Sequence, residues 1–144
     1  MKSDSIHNVL VDTSFILTML RQHRDFDDEI RNSAGGPVRI ATTDGVIMEL
    51  QRLARNGSFA TSGLARIALS SLERGGIDVQ DTSPSTPNVD TAILMSALAE
   101  RNQVKVATVD RGLRNALVKL GVPVICPRAH GGVVILPSVR VPLK

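Results

Sequence analysis

The sequence predicts an α/β fold, a three-layer α/β/α sandwich around a central, mostly parallel five-stranded sheet, and three observations carry that reading. Short, continuously apolar runs alternate with longer segments of helical periodicity, as in a parallel sheet covered on both faces. Glycine and proline clusters fall between these segments rather than inside them. The length, 144 residues, suits one compact domain and is too short for two.

Asn8 to Asp12 is the first apolar run and reads as a strand buried on both faces. Thr13 and Ser14 are suited to cap a helix over about 14–32, with Phe15, Ile16, Met19, Leu20 and Ile30 on a broken apolar stripe. Ser33 to Pro37 ends it. Val38 to Thr42 is a second strand, and Asp44 to Arg55 a helix with Val46, Leu50 and Leu53 on one side. After a loop at 56–58, Ser62 to Arg74 is a helix through Leu64, Ile67, Ala68 and Leu72, stopped by Gly75 and Gly76.

Ile77 to Val79 is a short strand, and the polar stretch Asp81 to Pro87, with two prolines, is a loop. A helix over about 88–102, a strand at Val104 to Thr108, a helix at Asp110 to Leu120 and a strand at Val122 to Ile125 complete the alternation. The domain is therefore drawn at 1–128. The tail, 129–144, carries Val133 to Leu136 and Val139 to Val141 between prolines, and reads as an edge hairpin, a cap or a partner surface.

Hydrophobic residues make up 42% and charged residues 22%, ordinary for a globular protein, and no run is long enough to span a membrane. No cleavable signal pattern opens the chain, and the lone Cys126 has no internal disulfide partner, so a soluble, cytoplasmic protein is expected. A net charge of +3 suits a polyanionic partner without requiring one. With Phe15, Phe26 and Phe59 as the only aromatics, a module that reads single strands by stacking bases on aromatic platforms is not expected, and any RNA would be held mostly through its phosphates and metal.

Four carboxylates stand where chemistry is expected. Asp12 and Asp110 each follow an apolar strand and precede a helix, the edge at which open α/β sheets bind ligands, although each also suits a plain helix cap. Glu49 shares the helical face of Leu53 and Val46, where a charge is costly unless it snorkels or pairs with Arg52 or Arg55. Asp90 falls in the first turn of its helix, a favourable place for any negative charge.

Together they say more. If they converge, each close pair repels by about 4 kcal/mol at an effective dielectric of 20 and 4 Å. Such a cluster asks for a cation, and all-oxygen ligands suit Mg²⁺ or Mn²⁺ rather than zinc. A hard divalent ion among carboxylates meets the needs of phosphodiester hydrolysis.

Four segments then match a known pattern in order: Val11-Asp12-Thr13-Ser14, Thr42-Thr43-Asp44-Gly45-Val46-Ile47-Met48-Glu49-Leu50, Val89-Asp90-Thr91-Ala92-Ile93-Leu94, and Ala107-Thr108-Val109-Asp110-Arg111-Gly112-Leu113. Across about 8–126 the sequence resembles the PIN-domain nucleases, which include VapC-type toxins and endonucleases of ribosomal RNA processing. The resemblance implies a metal-dependent endoribonuclease with one or two Mg²⁺ or Mn²⁺ ions held by Asp12, Glu49, Asp90 and Asp110. It implies supporting hydroxyls at Ser14 and Thr108. It also implies an RNA substrate, a homodimer, and an antitoxin or ribosome-assembly partner.

Arg21, Arg24, Arg52, Arg111 and Arg114 are candidates for RNA phosphates, with solvated helix faces as the simpler account of most. His7, His23 and His130 lack a triad context, and Cys126 reads as a small buried residue. The rival function is a catalytically weak PIN-fold module that binds RNA or a protein.

Overall fold

The structure, a computed structural model, describes residues 6–81, 93, 97 and 104–136. The element order is β1 (His7–Val11), α1 (Thr13–Arg21), α2 (Phe26–Ser33), β2 (Val38–Thr43), α3 (Asp44–Asn56), α4 (Phe59–Arg74), β3 (Asp78–Gln80), β4 (Val104–Ala107), α5 (Arg111–Lys119), β5 (Val124–Pro127) and β6 (Val133–Leu136). The sheet runs β3-β2-β1-β4-β5-β6. Its first five strands pair parallel, while β6 lies antiparallel on β5 with Ile125 opposite Ile135.

The sheet thus has six strands where the sequence predicts five. The extra one comes from the tail: Val133 to Leu136 returns across a turn in which Gly131 and Gly132 have φ of 121° and 75°, a conformation that favours glycine. Of the readings open for the tail, the edge hairpin is the one this pairing matches over 133–136.

β1 is flanked by β2 on one side and β4 on the other, so the chain winds outward in two directions from it. Right-handed crossovers in opposite directions place their helices on opposite faces, the three-layer sandwich. That topology also opens a crevice beyond the carboxyl ends of β1 and β4. Leu10 stands opposite Val106 and Val11 opposite Ala107, which brings the residues after each strand side by side.

The core fills both faces. Val11, Phe15, Ile16, Met19, Val46, Leu50, Val106 and Leu117 are fully buried, each side chain stabilising by about 1.5–3 kcal/mol. The helix expected over 88–102 lies outside the described residues except at Ile93 and Ala97, which are helical and buried one turn apart.

One helix expected over 14–32 is two. The chain breaks at Gln22 to Asp25, where His23 takes a left-handed φ of 59° and the Asp25 side chain accepts from Asp28 N at 3.1 Å to start α2. No apolar residue falls between Leu20 and Phe26, so no buried stripe carries the helix through. Arg24 closes the junction. It donates to Glu29 Oε2 (2.9 Å), to Arg128 O (2.9 Å) and to Gly132 O (2.8 Å), tying α2 to the β5–β6 turn.

Other boundaries move by a few residues. α4 starts at Phe59 rather than Ser62, because Ser58 caps it through Thr61 N at 3.2 Å and the exposed Phe59 adds nothing to the apolar stripe. β3 is one residue later than expected and β5 two later, set by pairing with β2 and β4.

Candidate active site

Asp12 leaves β1 in extended conformation at the N-terminus of α1, yet its side chain makes no cap hydrogen bond. Only 3% exposed, its Oδ2 instead accepts from Ser14 Oγ and from Thr108 Oγ1, both at 2.7 Å. Ser14 sits in the first turn of α1 and Thr108 just after β4, so two separate elements orient one carboxylate. A hydroxyl has one proton, and both hydroxyls give theirs to Asp12. Their acceptor sides are filled by backbone, Val109 N on Ser14 Oγ and Asp110 N on Thr108 Oγ1, both at 3.1 Å. Ser14 and Thr108 themselves touch at 3.1 Å, closing the cluster.

Asp110 behaves differently. Its Oδ1 accepts from Leu113 N at 2.8 Å, an ordinary N-cap of α5. Glu49, half-buried on α3, accepts from Thr13 Oγ1 at 2.9 Å. The bond joins α3 to the start of α1, and neither Arg52 nor Arg55 pairs with Glu49. Thr13 is a site residue that sequence reading passed over. Its signal was the run Asp12-Thr13-Ser14, in which the outer two residues stand out as acid and hydroxyl while Thr13 reads as part of a cap. Thr42 was also missed: fully buried at the end of β2, it donates to Val11 O at 2.7 Å and fastens the adjoining strand ends.

Three of the four predicted carboxylates thus line the carboxyl edge of the sheet, and Asp90 lies outside the described residues. Among the described residues, Asp12, Glu49 and Asp110 make no ion pair, and no three Asp, Glu, His or Cys side chains close into a ligand group. The donors at the edge are carboxylate and hydroxyl oxygens, which fits a hard divalent cation and not zinc. Two carboxylates are oriented by hydroxyls from a neighbouring element, as ligands are by outer-shell partners.

The predicted phosphate contacts separate. Arg21, Arg52 and Arg111 are exposed, and Arg114 is half-buried beside Asn115. Arg24 is engaged internally: its ion pair with Glu29 holds the Glu29 carboxyl below the usual range, mainly through the side-chain hydrogen bond, and raises Arg24 in turn. Cys126, expected to be buried, is half-buried on β5, where burial pushes its thiol up against a smaller opposing pull from Arg114. No helix among the described residues is long and apolar enough to cross a membrane.

Fold and site define a doubly wound α/β/α domain with an acidic, hydroxyl-braced edge at its topological switch point. The chain belongs to the PIN-like domain family, whose model matches residues 9–130. Among solved structures, that of the PIN-domain endonuclease Utp24 is similar over 94% of this chain and 96% of that one, with a TM-score of 0.77 and 23% identity, a likeness of fold. No curated protein matches the sequence.

Proposed function

We propose that this chain is a metal-dependent ribonuclease that hydrolyses RNA phosphodiester bonds, with Asp12, Glu49, Asp90 and Asp110 sharing one or two Mg²⁺ or Mn²⁺ ions. The observation that carries the reading is Asp12, a buried carboxylate held by two hydroxyls, with no cation of the protein among the described residues and no capping duty. Two hydroxyl bonds offset only part of the cost of burying such a charge, and a bound cation would supply the rest. The likeness to a PIN-domain endonuclease supports the same reading.

When bound, a divalent ion supplies an activated water and a clamp on phosphoryl oxygens. The chain's own part is placement. Ser14 and Thr108 set the plane of Asp12, Thr13 aims Glu49, and the Leu113 amide holds Asp110. Arg21, Arg52, Arg111 and Arg114 take RNA phosphates, whereas Arg24 serves the α2 junction. The role is that of a toxin restrained by an antitoxin, or of an RNA-processing endonuclease with ribosome-assembly partners, in a cytoplasmic homodimer.

Thermal melting with and without millimolar Mn²⁺, with Ca²⁺ as control, tests the metal, because a ligand bound only by the native state raises the midpoint. An unchanged midpoint favours the second reading, a weak PIN-fold binding module, which the lack of three converging ligands among the described residues keeps in view. Growth arrest on expression, relieved by Asp12→Asn, marks the toxin role, and accumulation of uncut precursor RNA on deletion marks processing. A monomer mass in light scattering at micromolar concentration overturns the homodimer.

A further inference from the structure

The α3–α4 hairpin carries a feature that the acidic edge does not use. Of the three aromatic residues, Phe15 and Phe26 are buried in the core, while Phe59 at the hairpin tip is 98% exposed. No carboxylate lies between Glu49 and Glu73, and the stretch holds Arg52, Arg55 and Arg66, all exposed. Arg66 Nη2 donates to Ala54 O at 3.3 Å, and Ser62 Oγ donates to the same carbonyl at 2.6 Å, which places the Arg66 head at the last turn of α3, the turn that carries Arg55.

Phe59, Gly63 and Arg66 share one face of α4 at i, i+4 and i+7. A Cβ built on Gly63 meets nothing within 4 Å, so the ground between ring and guanidinium is open. Along α3, Arg55 lies about 9 Å beyond Glu49 at 1.5 Å per residue.

From these observations we infer that the hairpin tip is a second RNA-binding site, where one unpaired base stacks on Phe59 and flanking phosphates bind Arg55 and Arg66. This rests on the reading of the chain as an RNA-acting protein and extends it by adding a binding point at the hairpin tip, apart from the acidic edge. The charge favours RNA over a protein partner. A protein-docking face is apolar at its centre and depleted in charge, whereas the hairpin's other exposed large apolar side chains, Met48 and Ile67, lie about 12 Å along their helices from the tip. The ring shares a stretch, 50–72, that holds three arginines and no acid. A lone aromatic also suits sequence-tolerant stacking, since every base offers a π-face.

The test is fluorescence anisotropy of a labelled single-stranded oligoribonucleotide, without divalent metal, read beside Mn²⁺-dependent cleavage. Phe59→Ala should weaken binding by about fivefold or more, with Phe59→Trp close to wild type. Arg55→Gln with Arg66→Gln should flatten the salt dependence by about 0.7 in log–log slope for each phosphate no longer bound. The exposed position spares the fold. Wild-type affinity in Phe59→Ala overturns the inference, and cleavage that persists then leaves the hydrolytic reading intact. Phe59-dependent affinity in a chain that cleaves nothing supports the inference and overturns hydrolysis instead. A dimer lost in Phe59→Ala at unchanged RNA affinity assigns the ring to a second copy and also overturns it.

Discussion

The ends of β1 and β4 are nearly the same in sequence, an apolar strand, then an aspartate, then a helix, and the protein uses them in opposite ways. Asp110 spends an oxygen on the Leu113 amide and caps α5. Asp12 leaves the α1 amides alone and takes hydroxyl protons from Ser14 and Thr108. An aspartate before a helix is a cap by default. Asp12, buried, leaves that cap for the hydroxyls of Ser14 and Thr108, so hydroxyl partners and not position before a helix set its orientation.

Asp12→Asn should break the comparison most. If the carboxylate serves a metal, Mn²⁺-dependent cleavage of labelled RNA falls by about a thousandfold or more, since several kcal/mol of charge stabilisation is lost. Metal-free melting should hold or rise, because the variant removes a buried charge and keeps the shape. Cleavage at the wild-type rate ends the catalytic assignment for Asp12.

Thr108→Val sharpens it from the other side. The hydroxyl is fully buried, donates to Asp12 and accepts from Asp110 N, so its loss should cost about 2 kcal/mol in urea unfolding. Ser14→Ala, on a half-buried partner of the same oxygen, should cost about 1 kcal/mol. Equal costs would show that the two hydroxyls are not distinguished by burial.

At the β4 end, Asp110→Ala should cost about 1 kcal/mol as a lost cap, and Asp110→Asn should restore that stability, since asparagine caps about as well. Under the proposed function neither variant restores cleavage. Recovery of cleavage in Asp110→Asn would confine Asp110 to its capping role.

The smallest expected effect lies away from both ends, at Arg24–Glu29. Glu29 has its folded pKa lowered by Arg24, so the pair contributes stability above the ordinary carboxylate pKa and loses it as pH falls through the depressed value. The gap between wild type and Arg24→Ala in melting midpoint should therefore be full at neutral pH and shrink in acid. A gap independent of pH assigns the loss to the Arg128 and Gly132 carbonyls that Arg24 also holds.

Periodicity and punctuation sufficed for most of the fold, because strand runs such as Asn8 to Asp12 and caps such as Ser58 are local features. The sequence by itself determined the α/β alternation and the placing of Asp12 and Asp110 at strand ends. Tertiary structure alone decided three things. It fastened the break in the first helix, which the apolar gap at 21–25 and the Asp25 cap begin locally, through Arg24 bonds to residues about a hundred positions away. It recruited β6, whose partner β5 lies across a glycine turn. It also separated Asp12 from Asp110 in role, since Thr108 reaches Asp12 only when β4 pairs beside β1, and a contact across 96 residues leaves no trace in local pattern.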